Sequence, residues 1–270
     1  MYKLVSLDMD NTTLNNEHKI SERNKKTLEK AHKKGVKIII NTGRTYYEAE
    51  SFITELDFVD YAVVSNGSVV FDKNAGKFYQ VNELDNEYVE VAHEICEKFK
   101  EDVLLLIAGE TQCYCGNEYK DSKAMSIFEE LIGIKLPFVE NVVEYFENKF
   151  VGKAVVMGKY EILEKVKNEI EQVFGDRVQL KYSLECALEI LSPQMDKSEG
   201  VKLIMDILNI KKEEVIAIGD GENDIGMLKQ AALGIAVANA CEPLKKVADY
   251  ITLSNCEDGV AHAIEKFVLA

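Results

Sequence analysis

The chain has 270 residues, 47% hydrophobic and 29% charged, with Lys+Arg 32 against Asp+Glu 47 for a net charge of −15. A chain of this length buries about three-quarters of its unfolded surface, so it builds a core without disulfides or structural metal, and the composition excludes wholesale disorder. The acidic balance excludes a general nucleic-acid or anionic-membrane binder, no apolar run approaches the roughly 20 residues of a membrane span, and Asp8 sits where a signal peptide needs an apolar stretch, so a cytoplasmic protein is expected.

Residues 2–8 read as a buried strand running into the polar loop Asp8-Met9-Asp10-Asn11-Thr12. Ser21 is a good N-cap for a helix over 22–34, with Lys30, Lys33 and Lys34 at its negative end and Gly35 as the stop. Strand 36–40 runs into Asn41-Thr42-Gly43-Arg44, and helix 45–55 and strand 61–64 complete a β-α-β-α-β pattern of parallel sheet. Turn signals at 65–68 and 72–77 separate short strands. The middle then changes character: helix 85–100, strands 103–108 and 111–115, helix 121–132, strand 150–156, helix 159–174, strands 178–182 and 186–191. Strands next to strands predict an antiparallel sheet with helices on one face. Alternation returns with helix 197–208, strand 214–218, helix 223–232, strands 234–237 and 249–252 and helix 257–268. The predicted fold is α/β, a doubly wound parallel-sheet core of residues 1–82 and 190–270, interrupted by an inserted α+β domain over 83–189.

In a doubly wound sheet, ligands bind beyond the carboxyl ends of the strands. Strand one ends in Asp8 and Asp10, strand two in Thr42 and Gly43, and strand 214–218 in Gly219-Asp220-Gly221-Glu222-Asn223-Asp224. Each loop alone could be a solvated turn; three together predict a carboxylate cluster. Two carboxylates about 4 Å apart repel by about 4 kcal/mol at an effective dielectric near 20, so the cluster calls for a cation, a proton or both. Oxygen-only donors suit Mg²⁺ or Mn²⁺ rather than zinc. An EF-hand fails, because Thr13 and Lys19, or Ile225 and Ala231, stand where Gly and Glu are needed. A dinucleotide fingerprint fails at Asp224, and no P-loop is present. Asp196-x-x-Glu199 resembles a capping box and puts Lys197 in a first helical turn, a position unfavourable for a cation unless an anion is near. These parts suit phosphoryl transfer. Asp8 would be the nucleophile and form an aspartyl-phosphate, and Asp10 would be general acid and then base. Thr42 and Lys197 would hold the phosphoryl group, with Mg²⁺ reducing the repulsion.

The motifs, in this order, resemble a haloacid dehalogenase superfamily phosphatase of the Cof-type branch with a type IIB cap. The resemblance covers the whole chain. It rests on Asp8-Met9-Asp10-Asn11-Thr12, on Thr42-Gly43-Arg44, on Lys197, and on Gly219-Asp220-Gly221-Glu222-Asn223-Asp224 followed by Met227. It implies a Rossmann-like core and an α+β cap that closes over the site. It implies Mg²⁺ bound by Asp8, the backbone carbonyl of Asp10 and Asp220, with Asp224 a further ligand or a ligand's partner. Asn223, Thr42, Gly43, Lys197 and the amides of Met9 and Asp10 would contact phosphate, and Arg44 would lie near the substrate or the cap. Asn11 stands where the branch usually has Gly, and Asn tolerates left-handed backbone angles. The expected activity is Mg²⁺-dependent hydrolysis of a small phosphorylated metabolite (a sugar phosphate, or a cofactor or nucleotide phosphate), with no nucleic-acid or membrane partner. A phosphomutase and a non-catalytic phosphometabolite-binding protein are the alternatives. The histidines and cysteines read as structural, and Tyr114, Tyr119, Phe128 and Phe138 chiefly as core.

Overall fold

Strand β1 (Leu4–Asp8) lies inside an eight-stranded sheet in the computed structural model, which describes residues 1–270. After it come α1 (Glu22–Lys33), β2 (Lys37–Asn41), α2 (Tyr46–Glu55), β3 (Tyr61–Val64), β4 (Val69–Asp72) and β5 (Lys77–Gln80). Ser21 caps α1 by accepting from the Asn24 N–H at 3.1 Å, and Gly35 stops the chain there at φ +89. The second part of the chain adds α3 (Asn86–Glu97), β6 (Val103–Ala108), β7 (Cys113–Gly116), α4 (Ala124–Leu131), β8 (Phe138–Val139), α5 (Val142–Phe146), β9 (Lys153–Gly158), α6 (Tyr160–Phe174), β10 (Gln179–Leu184) and β11 (Ala187–Leu191). It closes with α7 (Lys197–Leu208), β12 (Val215–Gly219), α8 (Ile225–Gln230), β13 (Leu233–Ala236), α9 (Glu242–Val247), β14 (Tyr250–Ile251) and α10 (Gly259–Ile264). No helix is long and apolar enough to cross a membrane.

Two units result: Met1–Arg44, Ala49–Val81 and Asp196–Ala270 form the first, and Thr45–Glu48 with Asn82–Met195 the second. In the first unit the strand order is β14-β13-β12-β1-β2-β3-β4-β5, parallel except for the hairpin of β4 and β5 at one edge. Every residue of β1 and β12 is buried. That is why these strands read as largely apolar runs, interrupted in β1 by Ser6, rather than as alternating ones. The order reverses at β1, with β2 and β3 on one side and β12 to β14 on the other. A crevice opens at such a switch point, at the carboxyl ends of β1 and β12. The doubly wound α/β core expected from the sequence is the one observed.

The second unit has a six-stranded sheet, β10-β11-β9-β6-β7-β8, antiparallel except where β7 meets β8. Helix α6 buries Leu163, Val166, Ile170 and Phe174, a helical stripe packed into this unit's core. The join expected at 189/190 lies instead at Met195/Asp196. The reason is pairing: β11 is laddered to β9, from Ala187 opposite Met157 to Ile190 opposite Ala154, so the residues after it stay with this sheet. Thr45–Glu48 also belong here, tied by the Tyr47 N–H donating to the Thr111 carbonyl at 2.8 Å. The short elements β8, α5 and α9 were not expected, because each is too brief to show a period.

Left-handed residues of the first unit include Asn11 and Gly67. Asn11 has φ +56, the conformation expected of Asn in a glycine's place. Gly67 has φ +98, and a Cβ there would lie 2.2 Å from the Asp196 carbonyl oxygen. Gly67→Ala should therefore destabilise by about 2 kcal/mol or more, combining backbone strain with overpacking. A thermal midpoint lowered by about 5 °C is the expected reading, and an unchanged midpoint would refute it.

Candidate active site

Asp8 ends β1, and the turn after β12 begins with Asp220 and reaches Asp224, so two adjacent strands deliver three carboxylates. Oxygens of Asp8, Asp220 and Asp224 all lie within 4.8 Å of one another. Lys197, the first residue of α7, enters between them. Its Nζ donates to Asp8 Oδ1 at 2.5 Å and Asp224 Oδ1 at 2.7 Å, and the residue is 1% exposed. The unfavourable first-turn position of this lysine is thus answered by two carboxylates. Asp196 caps α7 by accepting from the Ser198 N–H at 2.7 Å. The expected capping box is not formed, because the Glu199 side chain turns to Lys202 instead. The Asn41 amide donates to the Lys197 carbonyl at 3.1 Å and fixes the helix start from β2.

Asp224 is fully buried and engaged at both oxygens. Its Oδ1 meets Lys197, and its Oδ2 accepts from the N–H groups of Asp220 and Gly221 at 3.0 Å each. Gly219 is required beneath it, since a Cβ would stand 2.5 Å from Asp224 Oδ2. Thr12 Oγ1 donates to Asp220 Oδ1 at 2.8 Å, and Thr13 Oγ1 donates to the Asp8 carbonyl at 2.6 Å.

Three carboxylates against one ammonium leave a formal excess of two negative charges. Burial pushes the Asp8 carboxyl well above its ordinary value; Lys197 pulls it down, and Asp224 and Asp220 push it up again. Burial and Asp224 likewise raise Asp220. Burial alone would lower the Lys197 ammonium, but Asp224 and Asp8 outweigh it and hold the lysine charged. An all-oxygen donor set with this imbalance fits a hard divalent cation.

The other expected residues are arranged differently. Asp10 does not join the cluster through its side chain. Arg44 holds it in a two-pronged pair, Nε to Oδ2 at 2.9 Å and a terminal nitrogen to Oδ1 at 2.6 Å, each side chain 35% exposed. Arg44 is thus the partner of Asp10 within the first unit. Thr42 is buried, with its Oγ1 accepting from the Arg44 N–H at 3.2 Å. Gly43 lies against Asn66, where a Cβ would come within 2.9 Å of Oδ1. Met9 is buried and Asn223 is exposed. Sequence reasoning gave no role to Thr12, Thr13 or Asn41. Asn41 could have been flagged as the polar end of an apolar strand, and the two threonines as hydroxyls next to the first acidic loop.

A family model for haloacid dehalogenase-like hydrolases matches residues 5–264. The 5-amino-6-(5-phospho-D-ribitylamino)uracil phosphatase YcsE of Bacillus subtilis (strain 168) is 29% identical over 269 residues, which is 99% of this chain and 96% of that protein. A haloacid dehalogenase-like hydrolase from Bacteroides thetaiotaomicron, known from its crystal structure, is 30% identical with a TM-score of 0.84, over 98% of this chain and 99% of that one. The HAD subclass IIB sugar phosphatase BT4131 is 27% identical with a TM-score of 0.81, over 99% of this chain and all of the other.

Proposed function

Because the chain belongs to the haloacid dehalogenase-like hydrolases and is a phosphatase of phosphorylated substrates, we propose that it hydrolyses small phosphorylated metabolites with Mg²⁺, through an aspartyl-phosphate on Asp8. The observation that carries this reading is the buried Asp8–Lys197–Asp224 arrangement beside Asp220, at the switch point of the sheet. We further assign the unit of Asn82–Met195 to selection of the leaving group.

In the first half-reaction a carboxylate oxygen of Asp8 attacks phosphorus, and the bond from phosphorus to the leaving oxygen breaks. Asp10 delivers its proton to that oxygen. In the second half-reaction Asp10 takes a proton from water as the water attacks phosphorus, and Asp8 is released with free phosphate. Lys197 favours the ionised form of Asp8 against the burial that opposes it, and aims the carboxylate. Its ammonium, with Thr42, Gly43, Asn223 and the amide of Met9, is assigned to the phosphoryl oxygens. Asp8, Asp220 and the Asp10 carbonyl would hold the cation. Asp224 fits a positioning role for Lys197 and the 220–221 turn, since both its oxygens are engaged. When bound, Mg²⁺ would offset the charge shared by the carboxylates and the phosphoryl oxygens. Asp10 must leave Arg44 to do its work. The pair is a third exposed, so screening leaves it worth about 1 kcal/mol or less, and a substrate can displace it.

Phosphate release should be measured over sugar phosphates, flavin mononucleotide, nucleotides and the uracil phosphate that the YcsE relative is named for. Release is expected with Mg²⁺ and not with chelator. Mg²⁺ at a hundredfold excess over Kd should also add about 2.7 kcal/mol of stability, and Asp220→Asn should lose both effects. Release undiminished by chelator would overturn the metal assignment.

A further inference from the structure

The turn after β13 carries a side chain that the mechanism above does not use. Residues 237–241 lie at the same sheet edge as the acidic loops, because β13 runs parallel to β12 and beside it. Backbone bonds hang this turn on the end of β12. The Val237 N–H donates to the Gly219 carbonyl at 3.1 Å, and the Cys241 N–H donates to the Asp220 carbonyl at 2.8 Å. Between those two anchors, Asn239 reaches the other acidic loop. Its Nδ2 donates at 2.8 Å to the carbonyl of Asn11, the residue after Asp10. Its Oδ1 accepts from the Asn255 N–H at 2.9 Å. The two partners fix the orientation of the amide, since a carbonyl only accepts and an N–H only donates.

The loop that Asn239 reaches is a tight one. The Leu14 N–H closes it by donating to the Met9 carbonyl at 2.9 Å. Inside it Asp10 is extended, at φ −78 and ψ 137, and Asn11 turns the chain at φ +56 and ψ 4. Asn enters that left-handed region at more cost than Gly does, so the turn gains from an outside hold. The segment after Asp10 is held twice. Asn239 takes the Asn11 carbonyl, and the Thr12 hydroxyl donates to Asp220 Oδ1 at 2.8 Å. Asn255 grips the end of the loop as well, with its Nδ2 donating to the Leu14 carbonyl at 3.0 Å. Two asparagines from the C-terminal part of the chain thus clamp the loop that carries Asp10, and they are bonded to each other.

Asn239 is exposed, and so is Asn11. A hydrogen bond in such a place adds little to stability, because water can replace it. Its effect is on geometry. Asp10 can swing from Arg44 to the leaving oxygen by side-chain rotation alone only if its backbone stays in place. A misplacement of about 1 Å can cost about a hundredfold in rate. Resting on the phosphatase reading, we propose that Asn239 is a positioning residue. Through the Asn11 carbonyl it fixes the backbone from which Asp10 reaches the leaving oxygen, and it registers that backbone against the Asp220 turn.

Two variants test this. Asn239→Asp keeps the acceptor for Asn255 and loses the donor to Asn11. Asn239→Leu removes both bonds without adding a charge. Each should keep its thermal midpoint within about 3 °C of wild type. At saturating Mg²⁺, kcat/KM reports the first half-reaction. For the alkyl phosphate that wild type turns over best it should fall about ten- to a hundredfold in both variants. For p-nitrophenyl phosphate, whose leaving group departs without a proton, it should fall by no more than about threefold. Added to Asp10→Asn, Asn239→Leu should cost no more than about twofold further, because the group it positions is already disabled. Equal losses on the two substrates would make Asn239 part of the scaffold only, and wild-type rates in Asn239→Asp would show that the bond to Asn11 does not matter; either result overturns the proposal and leaves the phosphatase reading intact. No phosphate release by the wild type from any substrate would remove that reading, and the role of Asn239 with it.

Discussion

Asp8→Asn should lower phosphate release by about 10⁴-fold or more at saturating substrate and Mg²⁺. The amide keeps the shape of the carboxylate but is a very poor nucleophile, so no acyl phosphate can form. The fold should survive, because Lys197 retains Asp224 and the Asp8 backbone carbonyl still accepts from Thr13. The loss should therefore fall on kcat with a native thermal profile. Asp10→Asn should be milder, about 10² to 10⁴-fold, since it removes proton transfer and not the nucleophile. It also allows a finer check. Loss should be large for an alkyl phosphate, whose leaving oxygen needs a proton, and small for p-nitrophenyl phosphate in the first half-reaction. Release by Asp8→Asn above a few per cent of wild type would mean that another group attacks phosphorus.

That Asp8, Asp220 and Lys197 come together was legible in the sequence because each stands at a strand end or helix start, and chain order puts those ends on one edge of a parallel sheet. The alternation of β1, α1, β2, α2 and β3, resumed from α7 onward, carried the core in the same way. What the sequence did not carry were pairings set by packing. Arg44 and Asp10 are 34 residues apart, and their pairing depends on how the loop after β1 meets the loop after β2. The burial of Lys197 depends on α7 starting against β2, through the Asn41 amide. The join at Met195/Asp196 depended on whether β11 paired with β9, and an apolar strand reads the same in either sheet. Asp224 shows the limit most clearly. The motif identifies it as acidic and near the site, but only the N–H groups of Asp220 and Gly221 on its second oxygen favour a positioning role.

Lys197→Met should be the most destabilising single change at the site, by about 3–5 kcal/mol, because it removes one member of a buried ionic group and strands the others. Asp8 and Asp224 would then face each other with no cation between them. At separations up to 4.8 Å their repulsion is about 3.5 kcal/mol or more at an effective dielectric of 20. In chelator the thermal midpoint should fall by about 10 °C. Two further variants separate charge from packing. Lys197→Met/Asp224→Asn should recover at least half of the loss, since it removes one stranded charge, whereas Lys197→Met/Ser198→Ala should recover none. Saturating Mg²⁺ should also restore part of the midpoint in Lys197→Met, because a cation at Asp8 and Asp220 meets the same excess of negative charge. It should not restore turnover, because the ammonium that aims Asp8 is gone. A midpoint within 2 °C of wild type in chelator would mean that these carboxylates are protonated or solvated when the lysine is absent. The site's need for a cation would then be much weaker than the buried geometry implies.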